Sequence, residues 1–343
     1  MNKGKLVISL DFELHWGAVD KWDVSATKDK FIATRHAVKE MLDLFALYNI
    51  HVTWATVGFL FAESRSDIMS CLPKSLPRYK NSELSSYNVL DRGELGAGEG
   101  SDKSHYAASI LDLINSYPNQ EIASHTFSHY YALEEGQCVK TFEDDIRSSE
   151  MIAEKKGFQL KSLVFPRNQY NDDYLFVLRR YGILCVRSNP SNWIWSDGGI
   201  GRTSVMKFLK KMARGVDIML PISNTLFTLD SIQVDNPDHS VCIPASRFLR
   251  PYRSSEKIVN KLKSWRVKNE MTKAAMTGKI YHLWWHPHNF SNETKENLAY
   301  LNDILLHYIK LRKDYSFETM NMIELCREAT GTKATGTKGK LLV

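Results

Sequence analysis

The chain of 343 residues carries 45 Lys and Arg against 39 Asp and Glu, a net charge of +6, with 43% hydrophobic and 24% charged residues. Such proportions belong to a folded globular chain and exclude a disordered or fibrous one. The basic excess is spread out, and its two mild clusters, KFLKKMAR and KIVNKLKSWRVK, read as wet helix faces without the dense stripe and stacking aromatics that a nucleic-acid site needs.

KLVISLDF (5–12) predicts a strand. Residues 29–48 predict a helix with Ile32, Val38, Met41, Leu42 and Phe45 on one stripe, and HVTWATVGFL predicts a second strand. A helix over 105–117, the short strand EIAS, a helix over 141–156 and the strand LKSLVF follow. Next come a helix over 172–181, the strands GILCVRS and VDIMLPI, a helix near 255–267, the strand KIYHLWW and a helix over about 293–312. Strands alternating with helices predict an α/β fold with a parallel sheet, open or closed into a barrel. Parallel strands are covered on both faces, which accounts for runs such as KLVIS that lack polar alternation.

Two stretches break the rhythm, at about 63–104 and 221–253, and read as loop insertions of the kind that form lids or binding segments. The expected organisation is one catalytic unit over residues 1–328 and a flexible tail over 329–343. Cys71, Cys138, Cys185, Cys242 and Cys326 are scattered and form no CxxC pair, which speaks for a reducing compartment. No long apolar signal region precedes the first carboxylate, Asp11, and no run of about 18 uncharged apolar residues occurs. The expectation is a cytoplasmic protein without a transmembrane segment.

Three strand ends carry chemistry. In extended backbone Asp11, Glu13 and His15 of SLDFELHWG share one side and Leu10, Phe12 and Leu14 the other. The C-terminal ends of parallel strands are where α/β folds place active sites. EIASHTFSHYY puts His125 and His129 four residues apart, a spacing that on a helical turn sets two rings side by side as a metal requires, with Ser124 placed to cap that turn. KIYHLWWHPHNF gathers His282, His286 and His288 around Trp284 and Trp285, and Pro287 ends the strand. Two His and one carboxylate with open positions suit Zn²⁺, Fe²⁺, Co²⁺ or Ni²⁺, leaving a spare carboxylate and a spare His for general base and acid.

SLDFELHWG, HVTWATVGF, EIASHTFSHYY, LVFPRNQY and HLWWHPHNF occur in the order and approximate spacing of the motifs of the polysaccharide deacetylase family, the NodB-homology or carbohydrate esterase family 4-like proteins. The chain resembles most the branch associated with surface-polysaccharide and O-antigen biosynthesis. The resemblance implies a distorted (β/α) barrel and metal-dependent removal of an acyl group from the nitrogen of an acylated sugar. By that resemblance Asp11 is the base, Glu13, His125 and His129 hold the metal, zinc first among the candidates, and His286 is the acid. Arg167 would orient the Asp11 carboxylate, although the family places its Arg before the Pro and here Pro166 precedes Arg167. Asp-Phe-Glu also replaces the family's adjacent aspartates, and for the fourth motif NWIWSDGG, with Trp193 and Asp197, offers only a weak match.

The expected partner is a carbohydrate or sugar conjugate. Trp16, Trp284 and Trp285 are candidates to stack on a sugar ring, with His288 beside them. Arg247 and Arg250 are candidates to clamp a phosphate or carboxylate of a nucleotide-linked or lipid-linked sugar, against the plainer expectation of solvated arginines. His15 is expected to support the site through a hydrogen bond, and His36, His51 and His307 to be structural. The rival readings are a hydrolase of a non-sugar C–N bond, a metal-dependent sugar isomerase, and an inactive relative that binds carbohydrate.

Overall fold

The computed structural model describes residues 3–190, 217, 223–232 and 236–331. Most of VDIMLPI, Trp193, Asp197 and the chain beyond 331 lie outside them. Among the described residues nine strands share one parallel sheet: β1 (Lys5–Phe12), β2 (Val52–Thr56), β3 (Gln120–Ser124), β4 (Ser162–Val164), β5 (Cys185–Ser188), β6 (Val241–Pro244), β7 (Arg247–Phe248), β8 (Ile280–Trp285) and β9 (Glu318–Met320). The order is β6-β5-β4-β3-β2-β1-β8-β7, with β9 alongside the first half of β1. All eight residues of β1 are buried, so an unbroken apolar run, rather than alternation, is what this position demands.

The two end strands, β6 and β7, are joined by only Ala245 and Ser246. Ala245 N–H donates to Ser188 O and Ser246 N–H to His282 O, each at 2.8 Å. The linker thus bonds to both sides of the seam and curls the sheet into a distorted (β/α) barrel. The stretch 221–253, read from sequence as a loop insertion, supplies these two strands. They are too short to leave a hydrophobic period.

Helices cover the outside: α1 (Val24–Tyr48), α2 (Arg65–Ser70), α3 (Asn88–Asp91), α4 (Ala108–Ser116), α5 (Val139–Lys155), α6 (Asp172–Arg180), α7 (Lys257–Thr277), α8 (Thr294–Tyr315) and α9 (Met322–Thr330). Their ends follow local rules. Asp23 caps α1 by accepting from Ser25 N–H, and Asn49 closes it in the left-handed region. Asn171 caps α6, whose first turn holds Asp172 and Asp173 and whose last holds Arg179 and Arg180, as the helix dipole favours. None of the helices among the described residues is long and apolar enough to cross a membrane.

The 63–104 stretch holds α2 and α3 and braces the loop after β3. Ser86 Oγ donates to Ser128 O at 2.7 Å, and Tyr79 accepts from Tyr131 N–H at 2.9 Å. Asp102, His105 and His15 form a buried hydrogen-bonded chain (2.7 and 2.8 Å) that ends on the Trp22 carbonyl.

Candidate active site

β1, β3 and β8 are adjacent or nearly so in the sheet, and their register brings their C-terminal ends level: Leu10 pairs with Trp285 and with Trp54, and Thr56 with Ser124. Their exits therefore converge on one rim. Glu13 Oε1 lies 3.1 Å from His125 Nε2 and 3.4 Å from His129 Nε2. His286 Nε2 is 3.5 Å from Glu13 and 3.7 Å from Asp11. Asp11, Glu13, His125 and His129 are buried, while His286 is partly open to a cleft of about 280 Å³.

His125 and His129 meet by a route other than the expected helical turn. Residues 125–129 form a bent loop in which Thr126 (φ 65°) and His129 (φ 57°) are left-handed, and the ring centroids stand 5.1 Å apart. Non-glycine residues in that region store strain that the surroundings must hold. Ser124 Oγ accepts from Thr126 N–H, Thr126 Oγ1 accepts from Tyr130 N–H, and Asp145 of α5 accepts from Phe127 N–H, Ser128 N–H and Ser128 Oγ at 2.5–3.2 Å. Ser124 thus ties a turn instead of capping a helix.

Burial pushes the Asp145 carboxyl up from 3.8 to about 6, against these donors. The folded chain then binds the proton more tightly than the unfolded one. This group's contribution to stability is greatest below pH about 4 and declines by up to about 3 kcal/mol as pH rises to about 6. Urea unfolding over that range is expected to show this segment of pH dependence in the native protein and to lose it in Asp145→Asn.

The donor set fits a cation. His125 Nδ1 faces the Val164 carbonyl at 2.7 Å, and since a carbonyl only accepts, Nδ1 carries the proton. A neutral His125 therefore points its Nε2 lone pair at the Glu13 carboxylate, two acceptors face to face, which a proton or a metal ion between them would relieve. The ligand atoms of Glu13, His125 and His129 all lie within 4.8 Å of one another. Burial opposes the charge on Glu13, but His286, His125 and His129 outweigh it and hold its pKa well below the usual carboxylate range.

Room for Glu13 comes from Gly17, where a Cβ would overlap Glu13 Oε2. Gly17→Ala is expected to displace Glu13 and weaken the binding of added Zn²⁺ by about 10–100-fold, with circular dichroism unchanged. Titration calorimetry checks it.

Asp11 is held by a residue that the sequence reading passed over. Arg187 of β5 makes a two-pronged pair with it, Nη1 to Oδ1 and Nη2 to Oδ2, both at 2.7 Å. The guanidinium also donates to Ser9 Oγ and Asn168 Oδ1, each at 3.1 Å, and stacks 4.2 Å from the Trp284 ring. Burial would raise the Asp11 pKa, but Arg187 and then His286 pull it below the ordinary value. His286 is shifted the other way: burial disfavours its charge, and Glu13 and Asp11 overcome this to raise its pKa. His282 lies deeper, bonded to Ser9 and the Pro244 carbonyl. Burial, with Arg187 nearby, lowers it to about 3, so it stays neutral.

Arg167 does not orient Asp11. It pairs with Glu134 at 2.7 Å, stacks on Tyr131 and lines the cleft with its backbone left-handed (φ 57°). Trp16 is wholly buried, its indole N–H donating to His105 O, and Trp285 packs inside against Phe45 and Phe290. Neither reaches the cleft. Trp284 does, along with Lys21, Trp22, Tyr131 and His288. His288 is lowered to about 3 by burial and then by His286. His15 bonds to His105 and Trp22 and does not touch Glu13. Arg247 is locked on Glu270, at 2.5 and 2.6 Å, as part of the barrel wall. Arg250 is exposed and lines a smaller neighbouring hollow with Asn168, Asn189 and Trp284.

No protein-family model matches the sequence, and no curated protein matches it. Among solved structures, a putative polysaccharide deacetylase from Mycobacterium smegmatis superposes with a TM-score of 0.59 at 12% identity, covering 99% of this chain and 96% of its own. A probable polysaccharide deacetylase from Pseudomonas aeruginosa gives 0.55 at 10% identity, over 96% and 92%. The PuuE allantoinase gives 0.54 at 11%, over 96% and 91%. At such identities the likeness is one of fold, and the fold is the distorted (β/α) barrel common to these two deacetylases and the allantoinase.

Proposed function

We propose that the protein is a metal-dependent hydrolase that removes an acyl group, an acetyl group in the leading reading, from the amide nitrogen of a sugar. The observation that carries this reading is the meeting of Asp11, Glu13, His125, His129 and His286, from three strand ends distant in sequence, beside a cleft large enough for a sugar. Glu13, His125 and His129 would hold the ion, with Zn²⁺ first and Fe²⁺, Co²⁺ or Ni²⁺ as alternatives for that donor set. A bound ion would polarise the amide carbonyl and acidify water.

The remaining chemistry belongs to the chain. Asp11, kept ionised by Arg187, accepts the proton of the attacking water at Oδ2, the oxygen nearer His286. His286, favoured in its charged form by Glu13 and Asp11, delivers its Nε2 proton to the departing nitrogen, which cannot leave as an anion. Trp284 offers a flat apolar face for a sugar ring. Arg167 and Tyr131 also line the cleft.

The order of the sequence motifs supports a sugar conjugate on the way to a surface polysaccharide as the substrate, and the scattered cysteines support its handling in the reducing cytoplasm. The test is acetate release from a panel of free, nucleotide-linked and lipid-linked N-acetyl sugars by the Zn²⁺-loaded protein, repeated with chelator. No release from any member, with sugars still bound, would identify an inactive binding relative. The allantoinase on the same barrel favours one second reading, hydrolysis of a cyclic C–N bond in a non-sugar amide. Adding such amides to the panel separates the two.

A further inference from the structure

Helix α7 buries polar and charged groups in its earlier part, Asn260, Lys263, Arg266 and Glu270, while Val267, Met271, Ala274 and Ala275 give the rest an ordinary apolar inward face. In that earlier part the inward face carries charge: Arg266 pairs with Glu270 at 2.8 Å and with Asp217 at 3.2 Å, and Arg247 reaches Glu270 from β7. Its outward face carries Ile258 at 77% exposure, Leu262 at 36%, Trp265 at 50% and Met276 at 61%. Ile258, Leu262 and Trp265 follow the four-and-three spacing of one helical stripe, and Met276 returns to the position of Ile258 after about five turns. An ordinary surface helix has the opposite polarity. Ile258, Leu262 and Trp265 are neighbours on that stripe, Met276 standing apart beyond Asn269 and Lys273, and exposed apolar side chains of this size grouped together mark a surface that something covers.

The charge around the stripe says what covers it. Lys257 and Lys261 flank it on one side and Lys273 on the other, all exposed and with no ion pair among the described residues. The acids nearby are engaged: Glu256 by Lys263 and Arg253, Asp303 by Lys268 and Ser264, Glu270 by the two arginines. The face thus presents an apolar patch with an indole, Asn269 and Thr272 along its path to Met276, and among charged side chains only unpaired cations on long stems at its edges. Lysines of this kind keep their ammonium groups in the headgroup region while the apolar centre enters the acyl boundary. The face also begins at the active-site end of the barrel. α7 starts soon after Phe248, whose ring lies 4.7 Å from Trp284 and 5.8 Å from His286.

We propose that the outward face of α7 is a docking surface for an anionic lipid bilayer, holding the barrel at a membrane with its cleft near the headgroups. A second copy of the chain is the other candidate, but it would bring a like-charged lysine border against its own image, which disfavours it. The proposal needs no turnover and stands or falls apart from the hydrolase reading.

The full-length protein is to be sedimented with vesicles of equal parts phosphatidylglycerol and phosphatidylcholine, and with vesicles of phosphatidylcholine alone. Binding is expected to the anionic vesicles and to weaken with salt. The indole emission should shift to the blue in the native protein and not in Trp265→Phe. Ile258→Ser with Trp265→Ser is expected to weaken binding about tenfold or more, as is Lys257→Glu with Lys261→Glu and Lys273→Glu, with circular dichroism and thermal midpoint retained. No binding to anionic vesicles at low salt, or binding unchanged in both variants, would overturn the proposal. So would a concentration-dependent dimer that the Ile258 and Trp265 variant dissolves while vesicles are ignored.

Discussion

Asp11→Asn is expected to lower kcat by about 10²–10⁴-fold, the span that one positioned proton acceptor supplies. Metal content should stay at the native level if the proposed ligands Glu13, His125 and His129 hold the ion, rather than the alternative group Asp11, Glu13 and His286, since Asp11 is turned to Arg187 and His286. An amide keeps the volume of the carboxylate but cannot accept a proton at neutral pH. It also turns an N–H₂ toward the guanidinium, so some stability is lost with the rate. Steady-state kinetics beside elemental analysis separate these effects. A variant that lost its metal along with its rate would move Asp11 into the ligand set, and one with native kcat would remove it from the reaction.

Arg187→Met is expected to destabilise the fold by about 3–5 kcal/mol, the cost of leaving one member of a buried ion pair without its partner. Asp11 and Glu13 are then two buried carboxylates on one rim with the chief counter-charge gone. The Asp11 pKa, now below its ordinary value chiefly because Arg187 outweighs burial, would rise, and the acid limb of kcat/KM would move to higher pH. Combined with Asp11→Asn the loss should be smaller than the sum of the two single losses, since the second change removes the charge that the first left stranded. Urea denaturation of the four proteins in the cycle measures the coupling. Simple addition would mean that the two-pronged contact contributes nothing of its own.

The parts of this site that could be read in the sequence are those with a local signature. Acids and imidazoles just beyond apolar strands announce a rim, and Asp11, Glu13, His125, His129 and His286 all lie where that reasoning places them. Arg187 has no such signature: it is one arginine within CVRS, and its meaning depends on strand order, which leaves three strands between β5 and β1. Gly17 and Asp145 act through space on Glu13 and on the loop after β3, and only coordinates reveal such contacts. The indoles were decidable. Trp284 shares strand parity with His282 and His286 and faces inward, whereas Trp285 is one residue out of phase and points at the helices. Trp16 lies in the short helical turn Leu14–Ala18 that begins at a left-handed Leu14 (φ 49°), so the strand rule had already lapsed there. The same break turns His15 away from Glu13.

The position of β1 in the sheet also governs when the site can come into being. This strand pairs with β2, but it also pairs with β8 and β9, so Leu10 waits for Trp285 and Lys5 for Glu318. Contacts that span nearly the whole polypeptide form slowly, because the entropy of closing so long a loop comes before any reward. On the ribosome the first strand made therefore has its far-side neighbours supplied last, and His286 arrives with them. A chain stopped before that point would carry Asp11 and Glu13 in a half-paired strand with no acid opposite, so a truncated product cannot hydrolyse anything by this route.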